Sequence, residues 1–183
     1  MSTPESDPDL KKLVALTRSF DRAAAAKLPR GKLPVRVAEG GQWLYREAPI
    51  AREGLVQLLA DALVCIDGRY FLHTWEQLLA IQVDDTPFTI IDYEREQEGQ
   101  AFVLVSDRGH RVALDERTTL QLVSLPDGSQ MTPCVDVGEG LMARLSRSTF
   151  YRLTELAHEG RHEGRPALLL DSGASSQLLG YLE

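Results

Sequence analysis

The alternation of apolar and polar residues divides the first half of the chain into predicted strands and helices. Residues 33–38 and 42–46 alternate, and Glu39-Gly40-Gly41 lies between them. Glycine tolerates the positive φ of a tight turn, so this pattern predicts a β-hairpin. Apolar residues from 55 to 66 follow the spacing i, i+3, i+4 and i+7, which predicts an amphipathic helix over 51–66. Strands are then predicted over 69–74 and 78–83.

The second half is predicted to consist mainly of short strands joined by turn-rich linkers. The predicted strands are 88–93, 101–106, 111–114, 118–124 and 131–137, and an antiparallel meander is the simplest arrangement for them. Residues 140–145 fit both a strand and the start of a helix; we predict a short strand, then a helix from about Ser148 to near Gly160, because Ser146 and Ser148 are good N-cap residues. Final strands are predicted over 166–171 and 177–182.

The N-terminal 27 residues have a different pattern from the rest of the chain. Residues 1–9 are polar and contain two prolines, which predicts disorder, and residues 10–27 have helical spacing that ends in an alanine run. The predicted organisation is therefore a tail and helix over 1–27, a first α+β unit over 28–86, and a second, strand-rich α+β unit over 87–183. Because Pro29 and Gly31 separate the arm from the first unit, we expect it to be dispensable for folding.

Composition narrows the class of protein. The net charge of −7 argues against a nucleic-acid partner, which needs a cationic surface. Residues 11–36 nevertheless hold eight Lys or Arg, which cover an acidic body, form a solvated face or meet an anionic partner. An anionic partner is the less favoured interpretation, because Phe20 is the single aromatic residue of this stretch and interleaved aromatics for base stacking are lacking. Cys65 and Cys134 are expected to be buried thiols, and no apolar window is long enough to span a bilayer. These features predict a cytoplasmic protein.

One segment matches a metal-site pattern formally. His158, Glu159 and His162 fit H-E-x-x-H, which binds zinc only when one helix presents both imidazoles. Glycines interrupt this segment, and HEGR occurs twice in succession from 158 to 165. We interpret the match as chance and expect no metal, no cofactor and no catalytic residues.

The strongest resemblance lies in residues 31–93. The segments GQWLY at 41–45, PIAR at 49–52, DGRYFL at 67–72 and VDDTPF at 83–88 resemble the proteobacterial domain-of-unknown-function family 1285. The chain departs from the family pattern at Trp75, Gln77, Cys134 and Gly138, where the family has proline, lysine, tyrosine and arginine. The resemblance implies two related α+β units, the second like a pleckstrin-homology barrel, with a ligand site where the units meet and a role in signalling.

These observations predict a ligand-binding or regulatory module rather than an enzyme. The predicted site lies between the two units, near Trp43, Arg52, Glu76 and Asp84. Arg52 is expected in the first turn of its helix, where backbone N–H groups favour an anion. The ligand would be a small anion. Arg52 pairing with Glu76 or Asp84 for structural reasons is an open alternative, as are a homodimer and an enzyme of unrecognised type acting on a small anionic metabolite.

Overall fold

The computed structural model describes residues 22–25, 27–96, 101–124 and 131–182. The chain divides into two compact units, Met1–Asp84 and Asp85–Glu183. The described part of the first unit contains α1 (Arg22–Ala25), β1 (Arg30–Val37), β2 (Trp43–Tyr45), β3 (Ala48–Pro49), α2 (Glu53–Asp61), β4 (Leu63–Ile66), β5 (Arg69–His73) and β6 (Leu78–Val83). The described part of the second contains β7 (Phe88–Arg95), β8 (Phe102–Ser106), β9 (Arg111–Ala113), β10 (Gln121–Val123), β11 (Thr132–Asp136), β12 (Met142–Leu145), α3 (Arg147–Thr154), β13 (His158–His162), β14 (Arg165–Ser172) and β15 (Ser175–Tyr181). The fold is α+β and consists mostly of sheet.

The first unit contains one six-stranded sheet in the order β3-β2-β1-β6-β5-β4. The predicted hairpin is confirmed as β1 and β2, and β1 also pairs in parallel with β6. Along β1, Leu33, Val35 and Val37 are buried, whereas Lys32 and Arg36 lie on the other face. The alternation in the sequence thus separates a core face from a polar face.

The predicted helix over 51–66 is wrong in its second half. Helix α2 ends at Asp61, and Leu63–Ile66 form β4, with every residue buried. A short, continuous apolar run has no periodicity that separates a strand from a helix. Here β-branched residues favour the strand, and Asp67-Gly68 closes a two-residue hairpin with β5.

The end of the N-terminal arm belongs to the core of the first unit. Most of the predicted helix over 10–27 lies outside the described residues, but Arg22–Ala25 are helical as predicted. Ala25 is 1% exposed and forms a cluster with Val64, Ile66, Phe71 and Leu78. Ala25 therefore packs in the core of the first unit, and the dispensability of the arm for folding stays a prediction.

The second unit contains a six-stranded sheet in the order β10-β11-β12-β7-β8-β9. Within each hairpin the strands are antiparallel, but β12 returns beside β7 and pairs with it in parallel. The prediction of a simple antiparallel meander is wrong at this pair, whereas the strand predicted at 140–145 is confirmed as β12. Numbered within each unit, both sheets have the same strand order, third-second-first-sixth-fifth-fourth.

A helix and a three-stranded sheet complete the second unit. The N-cap of α3 is Ser146, whose Oγ accepts the N–H of Thr149 at 3.1 Å. The helix ends at Thr154, so its predicted end near Gly160 is wrong, and Gly160 lies within β13. A Cβ at Gly160 would come 2.7 Å from Cδ1 of Leu169 on β14, so the small residue suits this close strand pair.

None of the helices in the described ranges is long and apolar enough to cross a membrane. The barrel that the resemblance implies for the second unit stays an expectation.

Candidate functional site

The four predicted site residues all lie in the first unit. Trp43 is only 2% exposed, and its Nε1–H finds no acceptor in the part of the chain that the structure describes. Arg52 is the exposed N-cap residue of α2. Glu76 is exposed in the turn between β5 and β6, where Thr74 Oγ1 accepts its backbone N–H at 3.3 Å. Asp84 follows β6 and pairs with an arginine that the sequence pattern did not single out, Arg36.

Arg36 lines a groove on the polar face of the first sheet. The groove has a volume of about 330 Å³ and lies along β1, β6 and the loop between β2 and β3. Its polar lining comprises Lys32, Arg36, Arg46, Glu47 and Gln82. The rest of the lining comes from Leu33, Pro34, Val35, Ala80 and Ile81. Trp43 does not line the groove, because it alternates along β2 with Leu44, the residue that pairs with Arg36.

Two carboxylates hold the guanidinium of Arg36. Nη1 donates to Asp84 Oδ2 at 2.6 Å, and Nη2 donates to Glu47 Oε2 at 2.6 Å. The hydrogen bond to Glu47, followed by the interaction with Asp84, raises the pKa of Arg36 above its usual value, while burial acts in the opposite direction. A further donor of this group, Nε–H, is buried and has no acceptor among the described residues. Arg36 therefore carries a fixed positive charge and a buried Nε–H that is not used within the part of the chain that the structure describes.

The two carboxylates are held differently. The Asp84 side chain is 26% exposed, Gln82 Nε2 donates to its Oδ1 at 2.8 Å, and its backbone N–H donates to Val37 O. The Glu47 side chain is 70% exposed. Asp84 is thus an anchored partner of Arg36, and Glu47 is a solvent-facing one.

Glu47 also occupies a costly backbone conformation. Tyr45 pairs with Ala48, so Arg46 and Glu47 form a two-residue loop, and their φ values are 48° and 62°. A non-glycine residue in this left-handed region costs roughly 1–2 kcal/mol. The corresponding hairpin loops Asp67-Gly68 and Glu163-Gly164 both have glycine at the second position. The loop at the groove keeps a glutamate where glycine is favoured, and that glutamate contacts Arg36.

The second unit contains a serine–histidine pair that superficially resembles a nucleophile and its base. Ser106 Oγ lies 2.9 Å from Nδ1 of His110. However, Ser106 is 2% exposed, and its Oγ accepts the backbone N–H groups of Arg108 and His110 at 3.2 and 3.0 Å. The hydroxyl stabilises the turn between β8 and β9, so we assign it a structural role.

The H-E-x-x-H match lies on a strand and not on a helix. His158 and His162 are four residues apart along β13, which separates them by roughly 13 Å at about 3.3 Å per residue. His158 Nδ1 instead lies 3.6 Å from Asp171 Oδ2, and the ring of His162 lies 6.2 Å from that of Tyr181. The segment does not have the geometry of a zinc-protease helix.

Burial also makes Cys134 a poor nucleophile. Burial raises the pKa of Cys134 to about 11, with Asp85 adding to the shift and Arg144 opposing it. The thiol is therefore protonated near neutral pH.

Arg36 and Glu47 were not among the site residues predicted from the sequence. A signal for Glu47 was present, because only Glu47 and Ala48 stand between the predicted strand over 42–46 and Pro49, leaving room for a tight loop without glycine. The partnership of Arg36 with Asp84 depends on the parallel pairing of β1 with β6, which no local pattern reveals.

Comparison with known proteins identifies relatives of both units. Residues 28–86 match the N-terminal domain of the family described as "Domain of unknown function (DUF1285)". Residues 87–177 match the C-terminal domain of the same family, described as "Protein of unknown function (DUF1285)". No curated protein matches this chain.

Two solved structures have similar folds. A DUF1285 family protein from Silicibacter pomeroyi DSS-3 is 27% identical, with 97% of each chain covered and a TM-score of 0.80. A DUF1285 family protein from Shewanella baltica OS155 is 24% identical, covers 67% of this chain and 91% of its own, and has a TM-score of 0.54, so that it shows likeness of fold alone. With both family domains matched in sequence, this chain belongs to the DUF1285 family.

Proposed function

We propose that this protein is a ligand-binding, regulatory module whose ligand is a small anion, bound in the groove of the first unit. The observation that carries the proposal is the arrangement of Arg36. Its guanidinium is oriented by Asp84, and a second, exposed carboxylate from a strained loop contacts it at the groove. Backbone strain of this kind tends to occur at functional sites.

The charge and lining of the groove support an anionic ligand. Lys32, Arg36 and Arg46 contribute three positive charges, and Glu47 contributes one negative charge to the lining. A guanidinium forms two parallel hydrogen bonds with a carboxylate or a phosphate, which gives both energy and geometry. The apolar residues that line the groove beside Arg36 would shield the uncharged part of a small ligand from water. Of the four residues singled out by sequence, this proposal uses Asp84 to orient Arg36 and does not need the other three.

The groove suits binding better than proton transfer. Its lining offers two arginines and a lysine, and the carboxylates at Arg36 are engaged in ion pairs. A general acid or base needs a pKa near the working pH and access to the substrate. The alternative of an enzyme acting on a small anionic metabolite therefore has no specific support from these groups.

A thermal-shift experiment tests the proposal. Sodium phosphate and sodium citrate are compared with sodium chloride at equal ionic strength, so that general screening is matched. An anion that binds only the folded protein stabilises it by about 1.4 kcal/mol at ten times its Kd. We expect one of the two anions to raise the melting temperature of the wild type.

The same measurement on variants locates the site. Arg36→Ala should abolish the stabilisation, and Arg36→Lys, which keeps the charge but loses the fork, should reduce it. The matched control is Arg111→Ala, which removes an arginine from an exposed ion pair with Glu94 in the second unit, and should leave the stabilisation unchanged. Equal stabilisation of the wild type and Arg36→Ala, or none by either anion, would contradict the proposed function.

A further inference from the structure

The contact between Arg36 and Glu47 leaves the guanidinium incompletely bonded. Glu47 uses one oxygen, Oε2, and reaches only Nη2. The neighbouring Nε–H points along the same edge of the guanidinium as one Nη2–H, and it is buried with no acceptor among the described residues. A carboxylate placed side-on would accept from Nε–H and Nη2–H together, which is the stronger, bidentate geometry.

Glu47 is the replaceable partner of Arg36. It is mostly exposed, and an exposed ion pair contributes little to stability. Asp84, in contrast, is fixed by the amide of Gln82 and stays on Nη1, at the opposite edge. Loss of the Glu47 contact would therefore leave Arg36 oriented by Asp84 and its Nη2 without a carboxylate partner.

The backbone gives no reason for a glutamate at position 47. Its φ of 62° favours glycine. Glycine stands at the second position of the other two-residue hairpin loops described in which both residues have a positive φ, Asp67-Gly68 and Glu163-Gly164. The contribution of Glu47 must then come from its side chain, which lines the groove and contacts Arg36.

We infer that Glu47 is a built-in competitor that takes the place of a ligand carboxylate, and that the groove takes a small organic carboxylate which displaces Glu47 from Arg36. This inference rests on the proposed function and specifies the ligand class and the regulation of the same site. Lys32, on the exposed face of β1, offers a second cation for a ligand with more than one carboxylate. The strength of binding is then set by competition between the ligand and the Glu47 side chain.

NMR titrations with sodium citrate and sodium phosphate test this inference. The reporter is the side-chain Nε–H resonance of Arg36, assigned by its absence from Arg36→Lys. Three proteins are compared: the wild type, Glu47→Gln, which keeps the side-chain size but removes the charge, and Glu94→Gln as the matched control. Glu94 forms the exposed ion pair with Arg111 in the second unit.

We expect citrate to shift the Arg36 Nε–H resonance. The Kd of citrate should be about two- to fivefold lower for Glu47→Gln than for the wild type, which is the range that the free energy of an exposed ion pair allows. The Kd for Glu94→Gln should equal that of the wild type. Citrate binding of equal strength in the wild type and Glu47→Gln would overturn the competitor role and leave the proposed function standing. Tighter binding of phosphate than of citrate to both proteins would overturn the carboxylate class. If neither anion shifts the resonance in either protein, the proposed function fails and this inference fails with it.

Discussion

The two six-stranded sheets have the same strand order but obtain their covering elements from different parts of the chain. In the first unit a helix, α2, lies between the third and fourth strands and buries Val56, Leu59 and Ala60. In the second unit the corresponding connection, between β9 and β10, is not helical. In that unit α3 packs against β7, and β15 packs against β10 and β11. Both elements follow β12, the last strand of the six-stranded sheet, in the chain. One sheet topology thus admits two solutions to burying its apolar face.

The difference changes how backbone polar groups are satisfied. Within a helix, backbone N–H and C=O groups bond one another except at the two ends, but an irregular connection needs partners from elsewhere throughout. In the second unit, Ser172 Oγ donates to Leu114 O and accepts from Phe102 N–H. Gln177 Oε1 accepts from Leu120 N–H, and its Nε2 donates to Asp115 O. Ser172 on β14 and Gln177 on β15 therefore form hydrogen bonds with the irregular connection between β9 and β10. The counterpart of this connection in the first unit contains the helix α2.

The largest expected effect is removal of a fully buried leucine from either covering helix. Leu59 on α2 and Leu153 on α3 are both 0% exposed. Each Leu→Ala change should cost about 2–5 kcal/mol, through lost transfer energy and the cavity left behind. Both tryptophans, Trp43 and Trp75, lie in the first unit, so their fluorescence reports that unit while circular dichroism reports both.

Denaturant unfolding should show the Leu59→Ala loss by fluorescence and by circular dichroism, and the Leu153→Ala loss by circular dichroism. Leu156→Ala, at a residue 50% exposed, is the control and should change stability by less than about 0.5 kcal/mol. A Leu59→Ala loss below about 1 kcal/mol would show that α2 is not the cover of the first sheet.

The next effect is specific to the second unit. Gln177→Leu keeps approximate size but leaves Leu120 N–H and Asp115 O without their side-chain partner. The hydrogen bond of Leu120 N–H is buried, and a buried donor left unsatisfied costs about 1–3 kcal/mol. Chemical denaturation followed by circular dichroism should show this loss, while Gln121→Leu, at an exposed residue of β10, should be nearly neutral. Equal effects of the two substitutions would mean that Gln177 does not bond the connection.

The sequence predicted the elements whose signals are local. The first hairpin was recognised from the alternation in β1 and from Gly40 and Gly41, which adopt φ values of 86° and 83°. The boundary between α2 and β4 was not recognised, because the apolar run through Ile66 looks alike in a buried strand and a buried helix. Most of the strands after Phe88 were found, but the parallel pairing of β12 with β7 was not.

The candidate groove could not be predicted because it is made by long-range pairing. Arg36 and Asp84 are 48 residues apart and meet only because β1 pairs in parallel with β6. In the sequence, Lys32 and Arg36 belong to a basic stretch that also fits a solvated face. The ion-pair geometry that distinguishes a positioned arginine from an exposed one appears only in the folded sheet.

A smaller effect is a pH dependence of stability that should differ between the two units. Burial lowers the pKa of His73 on β5 below its usual 6.5. The unfolded chain then binds a proton at a pH where the folded first unit does not, so stability present above pH 6.5 is lost as pH falls from 6.5 through the folded pKa. The slope for one proton cannot exceed about 1.4 kcal/mol per pH unit. In the second unit, hydrogen bonds from Arg152 and Arg111 lower the pKa values of Asp92 and Glu94 below 3.8 and 4.5, respectively. The stability that these two carboxylates contribute is therefore lost only at lower pH than in the case of His73.

Unfolding followed by tryptophan fluorescence at pH 7.5, 6.5 and 5.5 measures this slope. His73→Gln should flatten it, whereas His158→Gln, in the second unit, should leave it unchanged. A slope that persists in His73→Gln would assign the pH dependence to another group.

The smallest effect is also the one that bears on the groove, and it compares two hairpin loops, one in each unit. Gly164 has a φ of 79° with open space around a Cβ, so Gly164→Glu reports the backbone cost of glutamate in this conformation, expected to be about 1 kcal/mol. Glu47→Gly should recover a similar amount in the first unit but lose the exposed ion pair with Arg36, which offsets part of the gain. We therefore expect Glu47→Gly to be neutral or stabilising by less than about 1 kcal/mol in fluorescence-detected denaturation. A destabilisation of Glu47→Gly larger than that of Gly164→Glu would mean that the contact with Arg36 holds the first unit together, and Glu47 would then be a structural residue rather than a replaceable one.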